Sequence, residues 1–151
     1  MYPALESRAD ILKLLGAITE SRKQILDHCR RLTEVQLNDW VYPGTWSVLQ
    51  NLSHLARIEA LMLASIQKRP HALPREEWPA EPPAELTAIA TALDEAHAGA
   101  LAFLKANPEA VLKEKCQYGR QGEQTVGGVF FHLIEHEFHH RAFILHKLAK
   151  L

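Results

Sequence analysis

Residues 125–150 read TVGGVFFHLIEHEFHHRAFILHKLAK, and this segment decides the fold. Projected on a helix at about 100° per residue, it shows one apolar stripe. The members of that stripe are Val126, Val129, Leu133, Phe143 and Ile144. His136 and His140 fall within the same stripe, and Thr125 is a residue type that caps helix N-termini. The segment therefore predicts a long helix, ending near Lys150, whose inward face carries two histidines.

Three further helices are predicted upstream, each bounded by turn or proline residues. They cover about Arg8 to Leu32, Thr45 or Ser47 to Lys68, and Ala84 to Ala106. Residues 70–83 are proline-rich and predict a long connection between helices 2 and 3, packed down by Trp78. The polar residues 111–125 predict a short hairpin or an ordered loop before helix 4. The pattern predicts an all-α fold, an up-and-down four-helix bundle that residues 1–151 form as a single domain.

The composition argues against several classes of function. The chain has 151 residues with 17 basic and 18 acidic side chains, and its net charge is −1. It lacks the basic patch of a protein that binds nucleic acid or an anionic membrane. No apolar stretch reaches the roughly 18 residues of a spanning helix, and the first residues lack the features of a secretory signal. Cys29 and Cys116 form no C-x-x-C motif and suit a reducing compartment, so we expect a cytoplasmic protein.

Histidine is the unusual component, with nine in the chain and four between positions 132 and 140. His136 and His140 have the i, i+4 spacing that lets two imidazoles reach one metal ion. Such a pair alone is weak evidence, since nine histidines placed at random give on the order of half a pair. A catalytic zinc-type centre needs a third protein ligand. His54, on an apolar face of the second predicted helix, is either that ligand or a hydrogen-bonded core histidine.

The other histidines are assigned simpler positions. His132 and His139 fall at the edge of the inward stripe and are predicted to lie at the rim of the same site. Trp46 is predicted to be a packing anchor at the start of the second helix. Surface or helix-end positions are predicted for His28, His71, His97 and His146.

A set of residues in this order resembles the DinB-like (YfiT-like) superfamily: Trp46-Ser47, His54, Glu59 and His136…His140-Arg141. The resemblance covers nearly the whole chain. It implies a four-helix bundle that holds a divalent metal on three histidines, one from the second helix and two from the fourth. Carried over by position, these are His54, His136 and His140. It also implies a thiol-dependent transferase or isomerase activity, in which the metal activates a low-molecular-weight thiol.

Four charged residues have candidate roles near such a site. Glu135 or Glu137 could accept a hydrogen bond from an imidazole N–H or act as a general base. Arg141 could bind an anionic substrate, with a structural salt bridge as an equal alternative. Glu59 falls about 140° from His54 around the helix, so it cannot share the metal. It is predicted to be a buried carboxylate that needs a partner, such as Arg57 of another copy or Arg141.

The expected function is that of a divalent-metal-binding protein. Zinc or nickel fits three imidazoles, and iron or manganese is an alternative. We expect an enzyme that acts on a small-molecule substrate, by thiol transfer or by metal-assisted hydrolysis. One alternative is a non-catalytic metal- or ligand-binding stress-response module. Another is a plain bundle whose histidines are only packed or solvated.

The last predicted helix carries a second apolar stripe opposite the histidine face. Its members are Phe131, Ile134, Phe138, Ala142 and Leu145. A peripheral bundle helix needs only one apolar face. The second stripe therefore predicts a homodimer that packs through it.

Overall fold

A computed structural model describes residues 1–69 and 85–151 of the chain. The helices, in chain order, are α1 (Arg8–Cys29), α2 (Glu34–Asn38), α3 (Val48–Ile66), α4 (Leu86–Ala106) and α5 (Val126–Leu148). The four long helices form a bundle, so the predicted all-α four-helix fold is confirmed. The short α2 was not predicted, because the sequence indicates only a turn there. The predicted linker with Trp78 and the predicted helix start at Ala84 lie outside the described residues.

Side-chain caps fix where α3 and α5 begin. Ser47 Oγ accepts a hydrogen bond from the backbone N of Gln50 at 3.1 Å, and Gln50 Oε1 accepts one from the backbone N of Ser47 at 2.8 Å. This capping box places Ser47 at the start of α3. Thr125 Oγ1 accepts from the backbone N of Gly128 at 3.0 Å and caps α5 as predicted.

The neighbour order in the bundle differs from the chain order. Helix α3 packs against both α4 and α5, and α1 packs against the same two helices from the other side. Helices α1 and α3 therefore lie at opposite corners of the bundle, a placement that no sequence pattern predicts. A side chain that joins α1 to α3 must consequently cross the centre of the core.

The predicted hairpin before the last helix is confirmed. Strands β1 (Lys115–Gln117) and β2 (Glu123–Thr125) pair antiparallel, and Cys116 lies opposite Gln124. The connecting turn brings Tyr118 and Arg120 to the side of the bundle that carries the histidines of α5. The hairpin therefore forms one wall of the site described below.

Two predictions concern the apolar residues of α5, and the structure treats them differently: Phe143 was predicted to point inward, and a second apolar stripe was predicted on the opposite face. Phe143 is 50% exposed, so its predicted inward position is wrong. The inward face is centred on Leu133 and Ile144, and Phe143 lies about 100° around the helix from Ile144. The opposite stripe does present apolar surface, with Phe138 43% and Leu145 44% exposed. The homodimer through this stripe stays a prediction. No helix in the described ranges is long and apolar enough to cross a bilayer.

Candidate metal centre

Helices α3 and α5 bring three histidines together. His54 Nε2 of α3 lies 3.0 Å from His136 Nε2 of α5. One ring nitrogen from each of His54, His136 and His140 lies within 4.8 Å of the other two. Tetrahedral ligands at about 2.0–2.1 Å from zinc stand roughly 3.4 Å apart, so small side-chain shifts would place all three on one ion. The donor set of three imidazoles therefore fits a borderline divalent metal.

Asn51 orients one of these imidazoles. Its Oδ1 accepts a hydrogen bond from His140 Nδ1 at 2.9 Å. The Asn51 amide is itself held, because its Nδ2 donates to the Ser47 carbonyl oxygen at 2.9 Å. With Nδ1 carrying the proton, the lone pair of His140 is on Nε2, which is the arrangement that a metal ligand needs. Asn51 was not predicted from the sequence, although its place one helical turn before His54 is a usable signal.

Burial keeps the three imidazoles neutral. Burial, followed by the charges of His140 and Arg57, lowers the pKa of His54 to about 4. Burial and the four surrounding histidines lower the pKa of His136 to about 2. Burial and His139 lower the pKa of His140 to about 4. At neutral pH all three nitrogens are free to bind a cation without first losing a proton.

Aromatic rings surround the three histidines. The Trp46 ring is stacked on His140 at 5.9 Å and meets the edge of His54 at 4.9 Å between centroids. Trp46 is therefore part of the site wall as well as a packing anchor. His132 and His139 lie at the rim, with ring centroids 5.4 Å from His136 and 5.2 Å from His140 respectively.

His132 is held on both sides. Its Nδ1 lies 2.8 Å from the hydroxyl of Tyr118, and the Tyr2 ring is stacked on it at 4.4 Å. Burial and the charge of Tyr2 raise the pKa of Tyr118, so its hydroxyl keeps its proton. The hairpin and the N-terminal segment thus fix the ring of His132 beside the three-histidine cluster.

A buried ionic cluster joins the four long helices. Arg22 of α1 donates from Nε and Nη2 to the carboxylate of Glu137 of α5 at 2.9 and 2.7 Å. Its Nη2 also donates to Glu59 of α3 at 2.5 Å. His97 of α4 places Nδ1 2.8 Å from the same Glu59 carboxylate. Burial opposes the charge of Arg22, but its hydrogen bonds to Glu137 and Glu59 raise its pKa.

This ionic cluster corrects three expectations. Glu137 is bound to Arg22, so it does not serve as an imidazole acceptor. His97 is only 7% exposed and is not a surface residue. Its position four residues after Leu93, on the apolar stripe of α4, was the signal for burial. Glu59 is buried with an arginine partner, as the sequence predicts, but that arginine is Arg22.

The remaining candidates lie apart from the histidine cluster. Glu135 is exposed, and its charge acts on Tyr2 and His132 at the rim. Arg141 lines a groove between α1 and α5 together with Ser21. None of the three clustered histidines lines that groove, so the position of Arg141 does not favour the predicted contact with a substrate at the metal.

The fold and the histidine cluster define a four-helix-bundle protein with a candidate metal centre. The sequence profile of the DinB superfamily matches residues 17–144. The chain therefore belongs to the DinB superfamily, as the resemblance of its residues implies. No curated protein matches the sequence.

Solved structures share the fold. YfiT from Bacillus subtilis, described as a probable metal-dependent hydrolase with an unusual four-helix bundle topology, is 19% identical with a TM-score of 0.76. That alignment covers 95% of this chain and 89% of YfiT. A DinB-like protein from Bacillus cereus ATCC 10987 is 20% identical with a TM-score of 0.73, covering 99% of this chain and 94% of that protein. A four-helix bundle protein, TT2238, is 22% identical with a TM-score of 0.67, covering 93% and 99%.

Proposed function

We propose that the protein binds one divalent metal ion through His54, His136 and His140 and uses it as an enzyme. The observation that carries this proposal is the convergence of three imidazole nitrogens from two helices within 4.8 Å. Zinc or nickel is the expected ion because both suit imidazole ligands, and iron or manganese is an alternative. The low pKa of each imidazole supports the same assignment, since a metal binds the neutral ring.

The surroundings of the histidines favour catalysis over storage. A structural zinc site is closed by four protein ligands, whereas a catalytic site has three and leaves a position open. His54 and His136 line a cavity of about 220 Å³, so a water or substrate can reach the place where their nitrogens converge. The bound metal would lower the pKa of a water or thiol and so supply a nucleophile at neutral pH.

The chain itself supplies orientation and proton control. Asn51 holds the proton of His140 on Nδ1, which keeps the Nε2 lone pair directed away from Asn51. Tyr118 is hydrogen-bonded to His132 Nδ1, which leaves the other nitrogen of His132 to exchange a proton at the rim of the site. Trp46 packs on two of the rings and excludes water from that side.

The reaction is either hydrolysis or transfer of a small-molecule thiol. The fold shared with YfiT supports a hydrolase, and the wider family resemblance supports a thiol-dependent transferase. Burial raises the pKa of Cys29 to about 11 and also raises the pKa of Cys116. Neither thiol is a thiolate at neutral pH, so a nucleophilic thiol would come from a low-molecular-weight compound in solution. Both cysteines are buried and free, which supports a reducing, cytoplasmic location.

Two parallel assays test this function. The metal-loaded protein is assayed with chromogenic esters and amides, and separately with a panel of low-molecular-weight thiols plus an electrophile. We expect turnover in one assay that requires the metal and is lost in the H136A variant. The H28A variant changes an exposed histidine far along α1 and is the matched control. Metal binding without turnover in either assay would contradict the enzyme proposal and favour the non-catalytic binding module.

A further inference from the structure

The cavity beside the histidine cluster has an apolar side and a basic rim. It measures about 220 Å³ and lies between α3, α5 and the turn of the hairpin. Ile58 and Leu61 of α3 form its apolar side, facing Tyr118 of the hairpin. Drug-sized ligands occupy cavities of roughly 300–1,000 Å³, so this one suits a smaller molecule.

Two arginines give this cavity its charge. Arg57 enters from α3, three residues after His54, and Arg120 enters from the turn that connects β1 and β2. No aspartate or glutamate is among the described residues that line the cavity. Nor does either guanidinium form an ion pair within residues 1–69 and 85–151. Arg22, in contrast, forms ion pairs with two carboxylates.

Guanidinium groups with no carboxylate partner in the described ranges, at the rim of a cavity, favour an anionic ligand. A guanidinium recognises a carboxylate or another oxyanion through parallel N–H donors, and two of them on opposite walls can hold one anionic group. Arg57 and His54 are neighbours on one helix face. A ligand whose anionic group contacts Arg57 therefore needs only a few more atoms to reach the histidine cluster. The apolar side of the cavity would accept the carbon atoms between the two ends.

We propose that this cavity is the substrate site and that the substrate is a small organic anion, held by Arg57 and Arg120 with its reacting group toward the three histidines. The proposal rests on the proposed function, because it places the reaction at the metal centre. It assigns the anion contact to these two residues and not to Arg141, which lies in the groove between α1 and α5.

The test uses thiols that share a two-carbon chain and differ in the group at its far end, which is anionic, neutral or cationic. The protein is loaded with Co²⁺, whose visible absorption changes when a thiolate coordinates. It is then titrated with 3-mercaptopropionate, 2-mercaptoethanesulfonate, neutral 2-mercaptoethanol and cationic cysteamine. We expect both anions to bind at least about tenfold more tightly than 2-mercaptoethanol, which corresponds to roughly 1.4 kcal/mol. Cysteamine should bind most weakly.

Variants test which arginines cause the preference for anionic thiols. In the R57Q/R120Q variant the preference for the anions should fall to about twofold or less, while the affinity for 2-mercaptoethanol stays unchanged. Both arginines are exposed, so the fold should tolerate the change. The R141Q variant is the matched control and should keep the full preference. The preference should also weaken with added salt, because the two charges are solvent-accessible.

The outcomes separate this inference from the proposed function. If Co²⁺ binds and all four thiols coordinate equally well, or if R57Q/R120Q keeps the preference, the anion site is contradicted and the metal centre stands. If R141Q abolishes the preference, the anion contact belongs to the other groove. If Co²⁺ does not bind to the histidines, the proposed function fails and the inference fails with it. A preference for the sulfonate alone would exclude a carboxylate substrate.

Discussion

Replacing Arg22 should destabilise the fold more than any surface change, because its guanidinium is an ion-pair partner of two buried carboxylates. The substitution R22M keeps the aliphatic stem and removes the guanidinium. It deletes the paired hydrogen bonds to Glu137 at 2.9 and 2.7 Å and the one to Glu59 at 2.5 Å. The two carboxylate side chains are each only 3% exposed, so water cannot replace the lost partner.

The expected loss is about 3–5 kcal/mol, the usual cost of removing one partner from a buried ion pair. A small domain is stable by only about 5–15 kcal/mol, so the loss is a large fraction of the total. Urea denaturation followed by circular dichroism should therefore show a midpoint lower by about 2 M at pH 7.5.

A surface arginine provides the matched control. Arg30 pairs with Asp27 near the end of the same helix, but these side chains are 57% and 48% exposed. The R30M variant should lose no more than about 1 kcal/mol. The R22M/E59L/E137L variant removes all three charges together and should recover much of the stability that R22M loses. A loss below about 1 kcal/mol in R22M at pH 7.5 would refute the argument that this arginine neutralises the core.

Three further outcomes are expected. The N51A variant should bind metal about 10–100-fold more weakly in a competition titration, because His140 loses the acceptor that orients it, and an unchanged affinity would count against that role. Without metal, the free energy of unfolding should fall as the pH drops from about 6.5 through about 4. The reason is that the folded-state pKa of His54 and of His140 is about 4, so the unfolded chain takes up these protons first. The H54N/H140N variant should lose this part of the pH dependence, and equal slopes would contradict it. Light scattering at micromolar concentration should show a dimer that F138K and L145K convert to a monomer, and a wild-type monomer would disprove the homodimer.

The sequence predicted what depends on local periodicity. The apolar stripes, the Ser47 and Thr125 caps and the proline breaks are properties of single segments, so the long helices and the hairpin could be inferred from them. That His136 and His140 lie on one face of the helix follows in the same way from their i, i+4 spacing. The pairing of these two with His54 needed the family resemblance, because it depends on which helices become neighbours.

The parts that the sequence did not predict depend on packing between distant segments. The partner of Glu59 is Arg22 because α1 and α3 face each other across the bundle centre, and no single segment contains that information. His97 looked unremarkable for the same reason, since its partner lies 38 positions away. Phe143 was wrongly predicted to point inward because the inward face of α5 was centred on His136. In the structure the buried face of α5 is centred closer to Ile144.

The central claim is that three histidines from α3 and α5 bind one metal ion. Its most direct test is the metal content of the purified protein after incubation with zinc or nickel and removal of free ions by dialysis. The account predicts about one equivalent bound to the wild type and to the H28A control, and less than about 0.2 equivalents bound to the H54A/H136A/H140A variant. A wild-type value below about 0.2 equivalents, or a full equivalent retained by the triple variant, would contradict it.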